Sequence, residues 1–348
     1  NSDIHGNYDD IITPRLKEAA LDSMCKGFVI WSEISHSDTY LLEYLADNSW
    51  QPERAETKQA TQRYCESRYP SEAVDEMNTL WEFFLTLSQS NNWGRTGGTV
   101  REPQFRILKS TEFINLTSGQ IDNLNFDFKK LYPGLKESVK VLSKLAEMAK
   151  GYYGNPLWQR DATDMARTIA SNALYMSLAK GAVQMEEWRN KKADASDIRE
   201  LAKLSKDLLA TLSDIVSMSD DFSMYTSLQK LSDAKPIEGI APTVNSHSEQ
   251  TLKANSENGY CRSHHYELVE HVYRPELEVY WDWVLKRIKS GDRSEWKRPK
   301  EFSEKGKIIE DKFYETSLKV MAPPTKNRNA KSFSKVLLQL NNQVNELL

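Results

Sequence analysis

The sequence predicts a mainly α-helical chain with a strand-containing fragment at its front. Three observations lead there. Apolar residues recur every three or four positions over most of the chain after Ser37. Only one short run, Phe28-Val29-Ile30-Trp31, reads as a buried strand, and its pairing partners must lie elsewhere. Fourteen Gly and twelve Pro in 348 residues are few for a turn-dense all-β fold.

Taken in order, residues 1–27 are polar and read as a loop followed by a short helix around Arg15–Met24. The strand follows. Asp38 is the expected N-cap of a helix with Leu41, Leu42, Leu45 and Ala46 on one side. Pro52 opens a helix running toward Tyr69, and Ser71 begins another with Val74, Met77, Trp81, Phe84 and Leu85 at helical spacing. Asn91–Gly98 is a loop, and Val100–Asn123 reads as an irregular surface connection. Helices resume after Pro133, carrying Leu135, Val139, Leu142, Leu145 and Met148. Asp161–Trp188 and Asp197–Met218 are the next two. Lys235–Asn258, rich in Pro, Ser and Asn, reads as a mobile loop. A helix from Ser263, its continuation at Pro275, and two more over Phe302–Met321 and Ala330–Leu347 complete the array.

Charge narrows the function. Forty-six Lys+Arg against 50 Asp+Glu give a net charge of −4, which removes the long-range pull of a typical nucleic-acid or anionic-membrane binder. No run is long and apolar enough to span a bilayer. Cys25, Cys65 and Cys261 form no CxxC pair, so a structural zinc site is not expected; one disulfide with a spare thiol and three free thiols both stay open. The chain starts at Asn1 with no signal-peptide pattern, and Asn115-Leu116-Thr117 is a glycosylation sequon compatible with a secretory history.

Among chemistry-bearing residues, His264, Glu267 and His271 share a helix face but lack the HExxH order of a zincin, so no metal is assigned. Tyr280, Trp281 and Trp283 read as core. Arg95 with Gly97-Gly98 lacks the Lys-Ser/Thr of a P-loop. Glu33 differs, because it stands at the carboxyl end of the expected strand, where (β/α)-barrels carry their chemistry.

The segment GFVIWSEISHSDTYLLEYLADNSW, Gly27 to Trp50, resembles the α-N-acetylglucosaminidase family of glycoside hydrolases, in which a strand ends in a glutamate and a helix leads on to a Trp. Asp3-Ile4-His5-Gly6-Asn7 is similar to the family's Asn/Asp-Phe-Gly-Gly-Asn loop. Further on, RYCESRYP (Arg63–Pro70), LWEFFL (Leu80–Leu85), RDATDMAR (Arg160–Arg167), LLATLSDIVSMSDDF (Leu208–Phe222) and YCRSHHYELVEHVYRP (Tyr260–Pro275) resemble family segments in the family's order.

The resemblance implies a (β/α)8-type barrel, only the end of which (residues 1–50) is present here, followed by an all-helical C-terminal domain (51–348). It implies removal of terminal α-linked N-acetylglucosamine with retention, on heparan-sulfate-like glycans, in a lysosomal or secretory setting and without a cofactor. Glu33 falls on the nucleophile, with His5, Asn7 and Trp31 as substrate contacts. The rest of the barrel, including the acid/base carboxyl, would come from a companion chain or a preceding N-terminal portion, and homo-oligomers are compatible. The sequence also departs from the family: Glu-Gly-Ile is here Glu33-Ile34-Ser35, Ser227 stands where the family has Trp, and the family's Leu-Trp-Gly-Pro loop has no counterpart between Leu252 and Tyr260. Two alternatives follow, a catalytically degenerate relative that binds glycans or supports assembly, and an all-α interaction scaffold.

Overall fold

The structure is a computed structural model that describes residues 3, 4, 6–27, 29, 38–92, 100, 101, 106–110, 112–234, 244–257 and 264–348. Those residues are mainly helical. In chain order the helices are α1 (Thr13–Leu21), α2 (Thr39–Asn48), α3 (Thr57–Arg68), α4 (Ser71–Ser88), α5 (Ser118–Tyr152), α6 (Pro156–Arg189), α7 (Ala195–Ser217), α8 (Met224–Asp233), α9 (Ser248–Glu257), α10 (Tyr266–Leu268), α11 (Arg274–Ser290), α12 (Lys300–Glu315), α13 (Leu318–Met321) and α14 (Ala330–Leu347). One-turn π-helical stretches, Tyr8–Ile12 and Val269–Tyr273, lead into α1 and α11. The only strands among the described residues are Asn91–Asn92 and Val100–Arg101, paired in parallel.

Helix α6 is the axis of the molecule. Every residue from 161 to 179 is buried, and α5, α7 and α14 pack around it. Its Ala162, Ala166, Ala170, Ala173 and Ala179 let neighbours approach closely. Helix α4 lies on α5 at Gly134, where a Cβ would stand 2.5 Å from the Leu87 Cα. Only glycine fits that crossing. Trp281 of α11 approaches α6 in the same way, its ring 2.7 Å from where a Cβ on Gly181 would be.

Most expected helices form, with instructive shifts. Asp38 caps α2 through its Oδ1, which accepts the Leu41 N–H at 3.0 Å. The buried face of α2 is Tyr40, Tyr44 and Asn48, however, rather than Leu41, Leu42, Leu45 and Ala46. Tyr8 lies edge-on to Tyr40 and Tyr44 at 5.1 and 4.8 Å, and Tyr40 stacks on Trp81 at 4.9 Å. Aromatic rings carry more area than the leucines, and the hydroxyls of the two α2 tyrosines still find partners: Tyr40 with Thr61 at 2.6 Å, Tyr44 with Thr13.

Helix α5 begins at Ser118, inside the stretch read as irregular, because Thr117 and Gln120 form a capping box. It then continues through Pro133. Proline forfeits one backbone hydrogen bond, but Leu131 and Leu135 on either side are fully buried, and that packing overrides the local break. The stretch expected to be a mobile loop contains α9, whose Lys253 is fully buried. Its Nζ donates to the carbonyls of Thr316 (2.7 Å) and Tyr314 (3.3 Å) and pairs with Glu249 at 2.9 Å. Of the expected strand, Phe28, Ile30 and Trp31 lie outside the described residues, and Val29 is exposed. Ile4, Tyr8, Tyr40 and Tyr44 share one core with Tyr64 and Trp81, so residues before position 50 are packed into the helical array.

Candidate functional site

Arg160, Asp161, Asp164, Arg167, Thr168 and Ser171 recur at helical spacing and run as a polar stripe along α6. Polar groups in such a position need partners, since an unpaired one is costly to bury. Their partners come from segments distant in sequence.

At one end, Asp161 accepts four hydrogen bonds. Arg68 donates from Nε (2.8 Å) to Oδ2 and from Nη2 (2.9 Å) to Oδ1; Tyr69 and Tyr64 donate to Oδ2 at 2.8 and 3.2 Å. Tyr69 in turn accepts from Trp81 Nε1 at 3.0 Å. Burial beside the Asp161 carboxylate holds both tyrosine hydroxyls protonated, with their pKa values raised. Arg160, one residue earlier, donates to Thr39 Oγ1 at 3.4 Å and pairs with Asp221 at 3.3 Å.

Two turns along, the stripe grips the first described residues. Ser171 donates to Asp3 Oδ2 at 2.8 Å, and the Ile4 N–H donates to Thr168 Oγ1 at 2.9 Å. Arg167 reaches Asp164, lies 3.6 Å from Asp3 Oδ1, and places Nη1 3.0 Å from His264 Nδ1. His264 Nδ1 is itself 3.5 Å from Asp3 Oδ1. A guanidinium only donates, so His264 faces it as a neutral acceptor. Burial, then Arg167, puts its pKa well below the ordinary histidine value. Burial also raises the Asp164 carboxyl, against the pull of Arg167 and Arg160.

The stripe thus secures both sides of the stretch between Ile4 and Thr39, which contains Glu33. Asp3, Asp164, Arg167 and His264 are each nearly inaccessible to solvent. This node is an anchor rather than a substrate pocket.

Glu33, His5 and Trp31 lie outside the described residues, as do Arg95, Gly97 and Gly98. Asn7 is buried, and its Oδ1 accepts the Asp10 N–H at 3.1 Å, fixing the turn into α1. Gly6, at φ +129°, makes the preceding bend and donates its N–H to the Ser88 carbonyl. Asn115 donates from Nδ2 to Glu295 at 3.0 Å and accepts from Arg189 at 2.8 Å, so the amide of the sequon is engaged on both sides. The shared face of His264, Glu267 and His271 is not a shared site. Glu267 accepts from Ser223 Oγ and the Met224 and Tyr225 N–H groups, fastening the start of α8, while His271 lies edge-on to Tyr266. No group of three His, Cys, Asp or Glu among the described residues is arranged to hold a metal ion.

A cleft of about 210 Å³ opens beside α1, lined by residues that include Leu16, Ala19, Ala20, Cys25 and Pro52. The residues adjoining its lining in the chain are conspicuous for their exposure: Leu21, Met24 and Trp50 are each more than 80% exposed, and so is Val29. Cys25 and Cys65 are free thiols, the first exposed and the second buried.

Asp161, Asp164 and Arg167 fall in RDATDMAR, a segment that resembles the family and has no role assigned from sequence. The available signal was four charges at helical spacing in a segment otherwise rich in Ala, Met and Leu. Compared with known proteins, the chain matches no family model and no curated protein.

Proposed function

We propose that this chain is the C-terminal part of a retaining glycosidase that removes terminal α-linked N-acetylglucosamine, with Glu33 as its nucleophile. The observation that carries the reading is a convergence. Three of the segments that resemble the α-N-acetylglucosaminidase family, within residues 3–7, 63–70 and 160–167, supply Asp3, Arg68, Asp161 and Arg167 to one continuous stripe on α6, which a fourth, within 260–275, meets through His264, a residue it does not share with the family. Accidental similarity gives no reason for scattered segments to meet through the residues they share with a family.

In this reading Glu33 attacks the anomeric carbon as the glycosidic C–O bond breaks, and a second carboxyl, about 5–5.5 Å away, protonates the departing oxygen. That group, now a carboxylate, then takes a proton from the water that hydrolyses the glycosyl–enzyme ester and frees Glu33. That acid/base, and the remaining barrel strands, belong to polypeptide outside this chain. The exposed Leu21, Met24, Val29 and Trp50 beside the α1 cleft are apolar surface that such polypeptide would cover. His5 and Trp31 are proposed to contact the sugar, and Asn7 to fix the turn beside His5. Heparan-sulfate-like glycans and a lysosomal or secretory location are part of the same proposal.

The test is turnover of 4-nitrophenyl α-N-acetylglucosaminide by this chain together with the polypeptide that completes the barrel. Hydrolysis that disappears in Glu33→Gln supports the assignment, and hydrolysis that survives it removes Glu33 as nucleophile. A second reading, a degenerate relative that binds glycan without cleaving it, is favoured by one observation. The residues just before the position of the missing aromatic loop form helix α9, which contains no aromatic side chain. Glycan binding by the completed protein, without turnover, would select it.

A further inference from the structure

We propose that the solvent faces of α4 and α5 together form a weak, salt-sensitive contact between two copies of this chain. The inference is independent of the glycosidase reading. It stands on two rows of opposite charge that lie side by side.

The two helices run antiparallel. Gly134 meets Leu87, Lys140 Nζ lies 4.9 Å from the Phe83 ring centre, and Lys144 Nζ is 3.2 Å from a Glu76 carboxylate oxygen, so ascending α5 descends α4. At about 100° per residue, Glu72, Asp75, Thr79 and Glu82 share one side of α4, and Lys129, Lys136 and Lys140 share one side of α5. Each of these residues is exposed. Lys140 and Lys144 are held by Glu137 and Glu76. Glu72, Asp75, Glu82, Lys129 and Lys136 carry no ion pair among the described residues, so their charges are free to pair outward.

The paired rows select the occupant. A polyanion drawn to the lysines would meet the α4 carboxylates only about 10 Å away, one helix spacing, and an anionic bilayer would meet the same repulsion. A second copy presents both signs at the matching spacing. A two-fold axis running along the helices lays each acidic row on the other copy's lysines, whereas an axis across them would oppose like charges. Helix α4 has 18 residues, a length of about 27 Å, and two helices side by side are about 20 Å wide. The shared face is therefore on the order of 500 Å² per copy, below the roughly 800 Å² of a standard interface, which makes the contact a transient one.

Sedimentation velocity of the full chain over a concentration series, with a reductant present to keep the exposed Cys25 from cross-linking, tests this. Dimerisation is expected at about 0.01 M salt and should weaken on the order of tenfold at about 0.15 M, as the screening length falls from about 30 to about 8 Å. The double variant Lys136→Glu with Lys140→Glu turns the lysine row acidic, and Asp75→Lys with Glu82→Lys turns the acidic row basic. Each should stay monomeric alone, and mixing the two should restore a dimer containing one of each. A wild-type chain that remains monomeric at low salt overturns the proposal, as does a pair of variants that do not rescue each other. So does a dimer that survives both reversals, as one seated on the apolar surface around Trp50 would, or a sulfated polymer bound by these lysines in place of a second copy.

Discussion

Arg68 and Asp161 are joined by two hydrogen bonds, Nε to Oδ2 at 2.8 Å and Nη2 to Oδ1 at 2.9 Å, with both side chains largely shielded from water. This bidentate pair joins α3 to α6 across 93 residues of sequence. Removing one partner leaves a buried charge without its complement, which costs about 3–5 kcal/mol. Arg68→Ala is expected to lower the stability read from urea unfolding by that amount. Arg68→Lys, which keeps the charge but loses the fork, should retain only part of it.

Gly134 gives a sharper test of packing, because local propensity and tertiary contact point in opposite directions. Alanine in a helix interior is favoured over glycine by about 1 kcal/mol. Here its Cβ would fall 2.5 Å from the Leu87 Cα, a backbone atom with little room to move. Gly134→Ala should therefore lower the thermal midpoint, by an overpacking penalty of about 1–3 kcal/mol. Gly119→Ala, with nothing within 4 Å of the new Cβ, should leave it unchanged or raise it slightly.

The pH dependence of stability has a definite sign in the mildly acidic range. His264 and His265 are depressed, the latter to about 4, chiefly by burial. The unfolded chain therefore binds protons near 6.5 that the folded chain refuses, and stability falls as pH drops below that value. Asp164 and Glu276 are raised by burial, so their contribution grows as pH falls through their folded values toward about 4. Below about pH 6.5 each histidine removes about 1.4 kcal/mol per pH unit, and the two carboxyls offset this once the pH reaches their folded values. Urea midpoints measured downward from that pH check the prediction.

The thiols should react in order. Burial pushes Cys65 up to about 12, whereas Cys25 is exposed. Iodoacetamide under native conditions should label Cys25 while sparing Cys65, which becomes reactive only on unfolding. Peptide mass mapping reads both.

What was legible in the sequence was what depends on period. The α7 stripe from Ile198 to Ile215 is buried almost as read, and α14 spans Ala330–Leu347 with Phe333, Leu337, Leu340 and Val344 inward. What failed depends on contacts remote in sequence. Leu41 and Leu45 outrank Tyr40 and Tyr44 by hydropathy, yet the face of α2 is chosen by Tyr8, Tyr64 and Trp81. Pro133 signals a break, yet the α4 and α6 surfaces on either side hold α5 together. The polar stripe was partly legible, since Asp161, Asp164 and Arg167 lie in RDATDMAR, one of the segments that resemble the family. Its partners Asp3, Arg68 and His264 were not, because nothing local indicates that they meet.

The central claim is that Glu33 forms a covalent bond to sugar. It is tested most directly by incubating the completed protein with a 5-fluoro-α-N-acetylglucosaminyl fluoride and mapping peptide masses. The 5-fluoro group slows formation and hydrolysis of the ester, while the fluoride leaving group keeps formation the faster step, so the intermediate accumulates. The account predicts one added sugar, on the peptide that carries Glu33. A probe that is consumed without labelling Glu33, or a sugar found on another carboxylate, would contradict it.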